Sequence, residues 1–207
     1  MTPTPTTVIF DLGAVLIDWN PRYLYRSLID DPDEMERFLA EVTTAAWNHE
    51  QDRGRRWDDA VAQLVEQHPA HAALIRAYHE RWPEMLGEQI HDTVEILAEL
   101  RAAGVSLYAL TNWSAETWPI ALERYPFLGW FRGIVVSGEV GAAKPERAVY
   151  DALTERYGVV PAESVFIDDQ PRNVEAARNL GFGAIRFTDA PSLRAALVDL
   201  GLLPTRR

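Results

Sequence analysis

The sequence contains no cysteine, which excludes disulfide bonds and thiol chemistry. Basic residues are scarce as well, because 20 Lys and Arg stand against 31 Asp and Glu and give a formal net charge of -11. Such an acidic chain is unsuited to unaided binding of nucleic acid or of an anionic membrane. An anionic ligand would therefore need a local positive focus, supplied by a metal ion, a lysine or helix N-termini.

Long apolar runs are also missing. Residues 1–7 contain no basic segment, and the apolar run after them ends at Asp11, so the sequence predicts neither a signal peptide nor a membrane span. The composition, 47% hydrophobic and 25% charged over 207 residues, is typical of a globular protein with one domain and an insert, or two small domains. We therefore expect a cytoplasmic protein, either a monomer or a homodimer.

Short apolar runs alternate with helical patterns along most of the chain. Strands are predicted at residues 8–10, 105–110, 133–136, 165–167 and 184–187. Helices are predicted from an Asp92 cap to Gly104, and at 114–125, 145–157, 171–180 and 192–200. This alternation predicts an α/β fold with a parallel sheet and crossover helices.

One long segment departs from the alternation. Between residues 21 and 86 apolar residues recur only at helical spacing, which predicts four or five short helices and no strand. The tryptophans of this region and its entrance are predicted to pack inside the bundle: Trp19, Trp47, Trp57 and Trp82. We expect a discontinuous core domain at 1–18 and 91–207, with a helical bundle inserted at 19–90.

Acidic residues follow two of the predicted strands. Asp11 ends the first strand, and Asp168 and Asp169 end the fourth. Parallel strands bring such ends to one edge of the sheet, where ligands bind in open α/β folds. Three carboxylates at one point repel each other unless a cation joins them, and oxygen ligands of this kind suit Mg²⁺. The alternative for the acidic pair is a cap for the helix that begins at Pro171.

Two further stretches predict an anion site at the same edge. Thr111 and Asn112 follow the second strand and precede a helix, where a hydroxyl and free backbone N–H groups can hold an anion, although Thr-Asn is also a common turn. Lys144 lies just before another helix, where its charge opposes the helix dipole unless an anion lies between them. The alternative for Lys144 is a solvated loop lysine.

The stretch around Asp11 resembles the first motif of the haloacid dehalogenase-like hydrolase superfamily, an apolar strand followed by Asp, any residue, Asp, any residue and Thr or Val. Asp11 and Val15 fit that motif, whereas Gly13 stands where the second Asp is usual. The resemblance implies a Rossmann-like core with an inserted helical cap. It also implies that Asp11 is a nucleophile that forms an aspartyl-phosphate, and that the backbone oxygen of Gly13 binds the metal.

The remaining motifs resemble the family in the same order along the chain. The resemblance implies that Thr111, with Asn112, holds the substrate phosphate and that Lys144 neutralises the nucleophile and the phosphate. For the fourth motif it implies that Asp169 is a direct Mg²⁺ ligand, that Asp168 is a second acidic position, and that Asn173 orients the ligands. The expected substrate is a small phosphorylated metabolite.

The loop of the inserted segment at residues 49–54 resembles the substrate-facing loop of the family's cap. The resemblance implies that Arg53 meets a phosphate or sugar hydroxyls; the alternative is a solvated connecting loop. Trp113 is predicted either to line the pocket or to pack.

The resemblance implies that the second Asp acts as the general acid, which Gly13 cannot do; general acid–base catalysis contributes roughly 10²–10⁴-fold to such reactions. We expect a slow enzyme, a preference for good leaving groups, or a substitute acid, with Asp18 and His49 as candidates. The Asp-Leu-Gly-x-Val pattern resembles bacterial phosphatases that act on glucose 1-phosphate. Two alternatives stay open: a metal-free 2-haloacid dehalogenase, and a non-catalytic phosphate-binding protein with the same fold.

Overall fold

A five-stranded parallel sheet forms the centre of the computed structural model, which describes residues 5–205. The strands in chain order are β1 (Thr7–Phe10), β2 (Ile17–Trp19), β3 (Leu86–Gln89), β4 (Ser106–Thr111), β5 (Gly133–Val136), β6 (Ser164–Asp168) and β7 (Gly183–Arg186). The sheet has the order β5-β4-β1-β6-β7 and all its pairs are parallel. The five predicted strands and the predicted α/β class are confirmed.

The helices cover both sides of the sheet and fill the insertion. They are α1 (Arg22–Tyr25), α2 (Pro32–Glu41), α3 (Ala45–Asp52), α4 (Trp57–Gln67), α5 (Ala72–Glu80), α6 (His91–Ala102), α7 (Trp118–Arg124), α8 (Ser137–Val140), α9 (Arg147–Tyr157), α10 (Pro171–Asn179) and α11 (Ala190–Asp199). Short 3₁₀ turns lie at Pro69–His71, Trp82–Met85, Pro126–Trp130 and Pro161–Glu163. Helices α1 to α5 lie between β2 and β3, as the helical pattern predicts.

The central strand β1 is buried on both faces. Val8 and Phe10 belong to one hydrophobic cluster and Ile9 belongs to the other, on the opposite side of the sheet. This is the reason for the continuous apolar run in the sequence, which is typical of parallel strands. The register pairs Phe10 with Ile167 of β6, so the residues that follow these two strands, Asp11 and Asp168, emerge side by side.

The sequence analysis missed an antiparallel pair at the base of the insertion. Strand β2 pairs with β3, with Ile17 opposite Gln89 and Trp19 opposite Leu86. The pair joins the two points where the chain enters and leaves the helical insertion. Neither strand exceeds four residues, so no alternating pattern could develop, and the pairing itself depends on residues almost 70 positions apart.

Four helix starts also differ from the predictions. Two of them are shifted by two residues: α9 begins at Arg147 instead of 145, and α11 begins at Ala190 instead of 192. Asp92 is not the cap of α6, because Ile90 occupies the N-cap and Asp92 lies in the first turn, where its carboxylate interacts favourably with the helix dipole. Residues 114–117 form a turn, and α7 begins only at Trp118 with Pro119 in its first turn. Pro119 lacks a backbone N–H and therefore fits the first turn of a helix better than its interior.

The inserted helices continue the hydrophobic cluster on one side of the sheet. Trp57 at the start of α4 donates from Nε1 to Ser114 Oγ at 3.1 Å, and its backbone N–H donates to Glu116 Oε1 at 3.0 Å. Ser137 Oγ donates to the backbone oxygen of Asp52 at 2.5 Å. These hydrogen bonds fix the end of α3 and the start of α4 against the loops that follow β4 and β5. The domain boundaries at 18/19 and 90/91 stay a prediction, and residues 1–4 and 206–207 of the predicted core lie outside the described residues.

Gly138 of α8 lies directly against the loop that follows β4. Its backbone N–H donates to Trp113 O at 3.1 Å, and a Cβ atom there would lie 2.5 Å from Ala115 N and 2.9 Å from Trp113 O. We expect Gly138→Ala to lower the free energy of unfolding by about 1–3 kcal/mol, because backbone atoms must move to admit the methyl group. Urea denaturation measures the change. Gly129→Ala is the matched control, because nothing lies within 4 Å of its Cβ position; equal effects of the two substitutions would contradict the prediction.

No helix among residues 5–205 has the length and apolar character needed to cross a membrane.

Candidate active site

A buried lysine connects two of the strand-end carboxylates. Lys144 Nζ lies 2.8 Å from Asp11 Oδ1 and 2.8 Å from Asp168 Oδ2. It also donates to the backbone oxygen of Leu110 at 2.9 Å. Its side chain is only 1% exposed, so Lys144 is not a solvated loop lysine. Its charge is directed at the end of the sheet, where it meets both carboxylates.

Asp168 is held on both oxygens. Its Oδ1 accepts from Gln170 N at 2.8 Å and from Asn173 Nδ2 at 3.0 Å, while Oδ2 accepts from Lys144 and from Asn173 Nδ2 at 3.1 Å. Asp169 is half-buried, and its Oδ2 accepts from Gln170 Nε2 at 2.6 Å. Asp168 therefore fixes Lys144 and Asn173, whereas Asp169 is the better placed of the two for a further ligand.

Three carboxylates at this edge could hold a metal ion. Asp11, Asp168 and Asp169 each offer an oxygen, and these oxygens lie within 4.8 Å of one another. One ammonium group, that of Lys144, opposes the three carboxylates, and the buried Oδ1 of Asn173 has no hydrogen-bond partner in the described part of the chain. An oxygen-rich, anionic set of this kind fits Mg²⁺ and water bound to it.

The electrostatics of the cluster reflect its burial. Burial and the nearby charge of Asp168 raise the pKa of Asp11 to about 8, although Lys144 opposes the shift. Burial by itself would lower the pKa of Lys144, but Asp11 and Asp168 together hold that pKa above its usual value. Burial and Asp168 also raise the pKa of Asp169. A divalent cation bound to these carboxylates would lower their pKa values, because it stabilises the ionised form.

The chain turns tightly directly after Asp11. The backbone oxygen of Leu12 accepts from Leu16 N and Ile17 N, each at 2.8 Å, and Ala14 has a φ of 58°, in the left-handed region. Leu12 N donates to Asp11 Oδ1 at 2.7 Å. Nothing lies within 4 Å of the position that a Cβ of Gly13 would occupy. The place of the usual second Asp is therefore open space, and no other side chain has filled it.

Thr111 and Asn112 lie at the end of the neighbouring strand, as predicted. Thr111 is buried. The Asn112 side chain accepts from Lys144 N at 2.8 Å and donates to Lys144 O at 3.1 Å. Asn112 thus holds the backbone of Lys144 in place, which is a role the sequence did not predict.

A pocket of about 180 Å³ extends from Gly13 and Asn112 towards the inserted helices. Four tryptophans line it: Trp19, Trp57, Trp82 and Trp113. Asn48, Asp52, Ser114 and Thr117 supply polar groups. Trp47 packs against Trp57 and Tyr78 as predicted, whereas Trp19, Trp57 and Trp82 line the pocket in addition to packing. The buried indole N–H groups of Trp19 and Trp113 have no acceptor among the described residues.

The model of one family, described as haloacid dehalogenase-like hydrolase, matches residues 8–187. The chain belongs to this family. It is therefore a hydrolase, and the resemblance read from its motifs is confirmed. A Rossmann-like core with helical insertions agrees with the parallel sheet described above.

Curated proteins with similar sequences include two phosphatases that match most of this chain. A sesquiterpene phosphatase of Aspergillus oryzae is 28% identical over 191 residues, which cover 92% of this chain and 93% of that protein. A phosphoglycolate phosphatase of Xanthomonas campestris is 28% identical over 189 residues, covering 87% and 82% of the two chains. A family enzyme of Bacteroides thetaiotaomicron, solved with magnesium and inorganic phosphate, has a TM-score of 0.68 at 23% identity and covers 89% of this chain and 94% of its own. The structural likeness bears on the fold alone.

Arg53, which the family resemblance implied in substrate binding, lies outside the tryptophan pocket. Its Nη2 is 3.2 Å from Glu146 Oε2, and both side chains are exposed by about two fifths. Arg53 connects the inserted segment to the loop after Lys144. A substrate would reach its guanidinium only at the rim of the site.

Neither candidate for a substitute acid lines the tryptophan pocket. Asp18 accepts a hydrogen bond from the Tyr23 hydroxyl and packs against Gly87. Burial and the charge of Arg172 lower the pKa of His49, which disfavours the protonated form that a general acid needs.

The sequence analysis missed Asp52, which lines the pocket together with Gly13. Burial raises the pKa of Asp52 to about 7, although Lys144 and a hydrogen bond from Ser114 N oppose the shift. Asn48 Nδ2 also donates to Asp52 Oδ2 at 3.4 Å. The one feature of the sequence that could have indicated Asp52 was its position in the 49–54 loop, which resembles the substrate-facing loop of the family's cap.

Proposed function

We propose that this protein is a Mg²⁺-dependent phosphomonoester hydrolase that acts through an aspartyl-phosphate intermediate. The observation that carries the proposal is the contact of Lys144 with Asp11 and Asp168, beside the acidic cluster at one sheet edge. Phosphatases among the family members with similar sequences support the reaction class. The solved relative with magnesium and phosphate supports the metal.

Each residue at the edge has a defined part in the proposed reaction. Asp11 attacks phosphorus through a carboxylate oxygen and the leaving alcohol departs; water then releases phosphate from Asp11. Lys144 orients Asp11 and opposes the rise of its pKa, and its charge stabilises negative charge that develops on the phosphoryl oxygens. Thr111 and Asn112 contact the phosphate.

Asp11, Asp169 and the backbone oxygen of Gly13 are the direct metal ligands in this proposal. Asp168 contributes negative charge without binding the metal directly, because both its oxygens already accept hydrogen bonds. Asn173 orients Asp168. Bound Mg²⁺ supplies charge neutralisation for the phosphoryl group and for the carboxylates.

The same cluster argues against a metal-free 2-haloacid dehalogenase. Asp168 and Asp169 lie beside Asp11, so their negative charge would repel the carboxylate of a haloacid. A non-catalytic phosphate-binding protein would need no nucleophile, yet Asp11 is held by Lys144 and Leu12 N at 2.8 and 2.7 Å.

The tryptophan pocket favours an apolar alcohol as the group attached to phosphate. Four indoles surround a volume of about 180 Å³. An isoprenoid unit or an aromatic ring matches that lining better than the sugar inferred from the resemblance to glucose-1-phosphate phosphatases, because a sugar would bury hydroxyl groups against apolar walls. The relative named as a sesquiterpene phosphatase supports this choice.

Phosphate release from three esters tests the proposal: p-nitrophenyl phosphate, dimethylallyl phosphate and glucose 1-phosphate. We expect release from the first two with Mg²⁺ and none with EDTA. We expect kcat/KM for dimethylallyl phosphate to exceed that for glucose 1-phosphate by at least about tenfold, because the pocket lining discriminates between an apolar and a polar group.

Trp19→Ala should reduce the ratio of kcat/KM for dimethylallyl phosphate to kcat/KM for glucose 1-phosphate. Trp130 is a half-buried tryptophan outside the pocket, so Trp130→Ala should leave this ratio unchanged. Release that is equal with EDTA would contradict the metal-dependent reaction. A preference for glucose 1-phosphate would contradict the substrate class and leave the reaction class intact.

A further inference from the structure

Gly13 leaves the proposed reaction without its usual proton donor, and this inference rests on the proposed function. An alkyl phosphate cannot lose its alcohol efficiently unless the departing oxygen receives a proton. The space beside Gly13 is open, so the donor must reach the leaving group from another wall of the pocket. Among the pocket-lining residues that the structure describes, Asp52 is the one with a carboxyl group.

Asp52 is held firmly although it belongs to the inserted segment. It is the last residue of α3, and its backbone oxygen accepts from Ser137 Oγ at 2.5 Å. The next glycine in the chain, Gly54, has a φ of 99° and would place a Cβ only 3.2 Å from Gly138 O. The chain after α3 therefore lies directly on the core backbone, which fixes the backbone of Asp52. Its carboxyl group accepts from Asn48 Nδ2 and Ser114 N, and the residue lines the same pocket as Gly13.

We propose that Asp52 is the general acid of the first step and the general base of the second, in place of the acid that Gly13 lacks. In the first step Asp11 forms a bond to phosphorus, the bond from phosphorus to the ester oxygen breaks, and the Asp52 carboxyl gives its proton to that oxygen. In the second step the Asp52 carboxylate takes a proton from water as the water oxygen bonds to phosphorus and the bond to Asp11 breaks. The products are the alcohol and phosphate, and Asp52 is protonated again.

The chemistry of the Asp52 environment suits this exchange. Asp52 lines a pocket that it shares with four tryptophans, and the two hydrogen-bond donors to its carboxyl group, Ser114 N and Asn48 Nδ2, are neutral groups. The resulting pKa of about 7 lies near neutral pH, where an acid that must also act as a base is most effective.

The test compares two esters of similar shape in the full-length enzyme with Mg²⁺. Benzyl phosphate releases an alkoxide that needs a proton, whereas p-nitrophenyl phosphate releases a stable phenolate. We expect Asp52→Asn to lower kcat/KM for benzyl phosphate by about 10²-fold or more and to change kcat/KM for p-nitrophenyl phosphate less than about threefold. In the wild type, kcat/KM for benzyl phosphate should fall above about pH 7, as the acid loses its proton, and this limb should vanish in Asp52→Asn.

Two further variants separate this role from a structural one. Asp18→Asn, which removes a carboxylate bonded to Tyr23 outside the pocket, should leave the ratio between the two esters unchanged. Gly13→Asp in the Asp52→Asn background should restore hydrolysis of benzyl phosphate, because the space at Gly13 admits a side chain.

Equal losses on both esters, or no loss on either, would overturn the proposal, and so would a failure of Gly13→Asp to rescue. A wild type that hydrolyses neither ester would instead contradict the proposed function.

Discussion

Lys144→Met is expected to lower the free energy of unfolding by about 3–5 kcal/mol, which is typical when a buried ion pair loses one partner, and to abolish measurable turnover. Lys144 is 1% exposed and contacts Asp11, Asp168 and Leu110 O. Methionine fills a similar volume but leaves two buried carboxylates without a positive charge. Turnover is lost because the ammonium group that lowers the pKa of Asp11 and stabilises charge on the phosphoryl group is removed.

The loss of stability in Lys144→Met should grow with pH. In the wild type the native pKa of Asp11, about 8, exceeds its ordinary value of 3.8, so the native state binds more protons than the unfolded state between these values and stability falls as pH rises. In the wild type the stability stops falling above about pH 8, because Asp11 is then ionised in the native state as well. Without Lys144, which lowers that pKa, the fall continues to higher pH, and the gap between the two proteins widens.

Urea denaturation at pH 6 and pH 9 in EDTA measures both effects for Lys144→Met. Arg147→Met is the control, because Arg147 is 75% exposed and pairs with Asp151 on the surface, where an ion pair contributes about 0–1 kcal/mol. If the difference in the free energy of unfolding between the wild type and Lys144→Met were smaller at pH 9 than at pH 6, Lys144 would not be the group that lowers the pKa of Asp11.

Asp11→Asn is expected to remove turnover, by roughly 10⁴-fold or more because the nucleophile is lost, without a loss of stability in EDTA. Burial raises the pKa of Asp11 to about 8, so its ionisation opposes folding at neutral pH. The amide has a similar shape and cannot ionise, and the substitution should raise the free energy of unfolding by up to about 2 kcal/mol, as at other sites where function costs stability. The fall of stability between pH 5 and pH 8 should also be shallower in this variant.

Asp168→Asn is the matched control for Asp11→Asn and should behave in the opposite way. Both oxygens of Asp168 accept hydrogen bonds, from Lys144, Gln170 and Asn173. An amide group would turn an N–H towards one of these donors, so the variant should be less stable than the wild type. If Asp11→Asn were as destabilised as Asp168→Asn, Asp11 would not be a residue whose burial costs stability. If Asp11→Asn retained turnover, Asp11 would not be the nucleophile.

The parallel core could be predicted because its information is local. Each core strand is a short apolar run, and the helices between them end at residues such as Gly104 and Gly158, both with positive φ. Parallel strands share one carboxyl edge, so the proximity of Asp11, Thr111 and Asp168 follows from their positions in sequence. The connection through Lys144 follows less directly, because it depends on a side chain that reaches back from a loop.

The pocket could not be predicted from local pattern. Trp57 recurs at helical spacing with apolar neighbours, which indicates packing, and it does pack against Trp47 and Tyr78. Only the tertiary structure decides that one side of it also faces a cavity. The β2–β3 pair was missed for the same reason, since strands of three and four residues carry no periodic signal.

The sequence by itself determined the α/β class, the positions of the five core strands and the meeting of Asp11 with Asp168, because each of these depends on residues close together in the chain or on the shared edge of a parallel sheet. The tertiary structure decided what surrounds the ester. It brought Asp52 of α3 and Gly13 to the same pocket and set four tryptophans from different segments around one volume. These contacts join residues tens of positions apart, and no spacing within the chain encodes which face of an inserted helix turns towards the site.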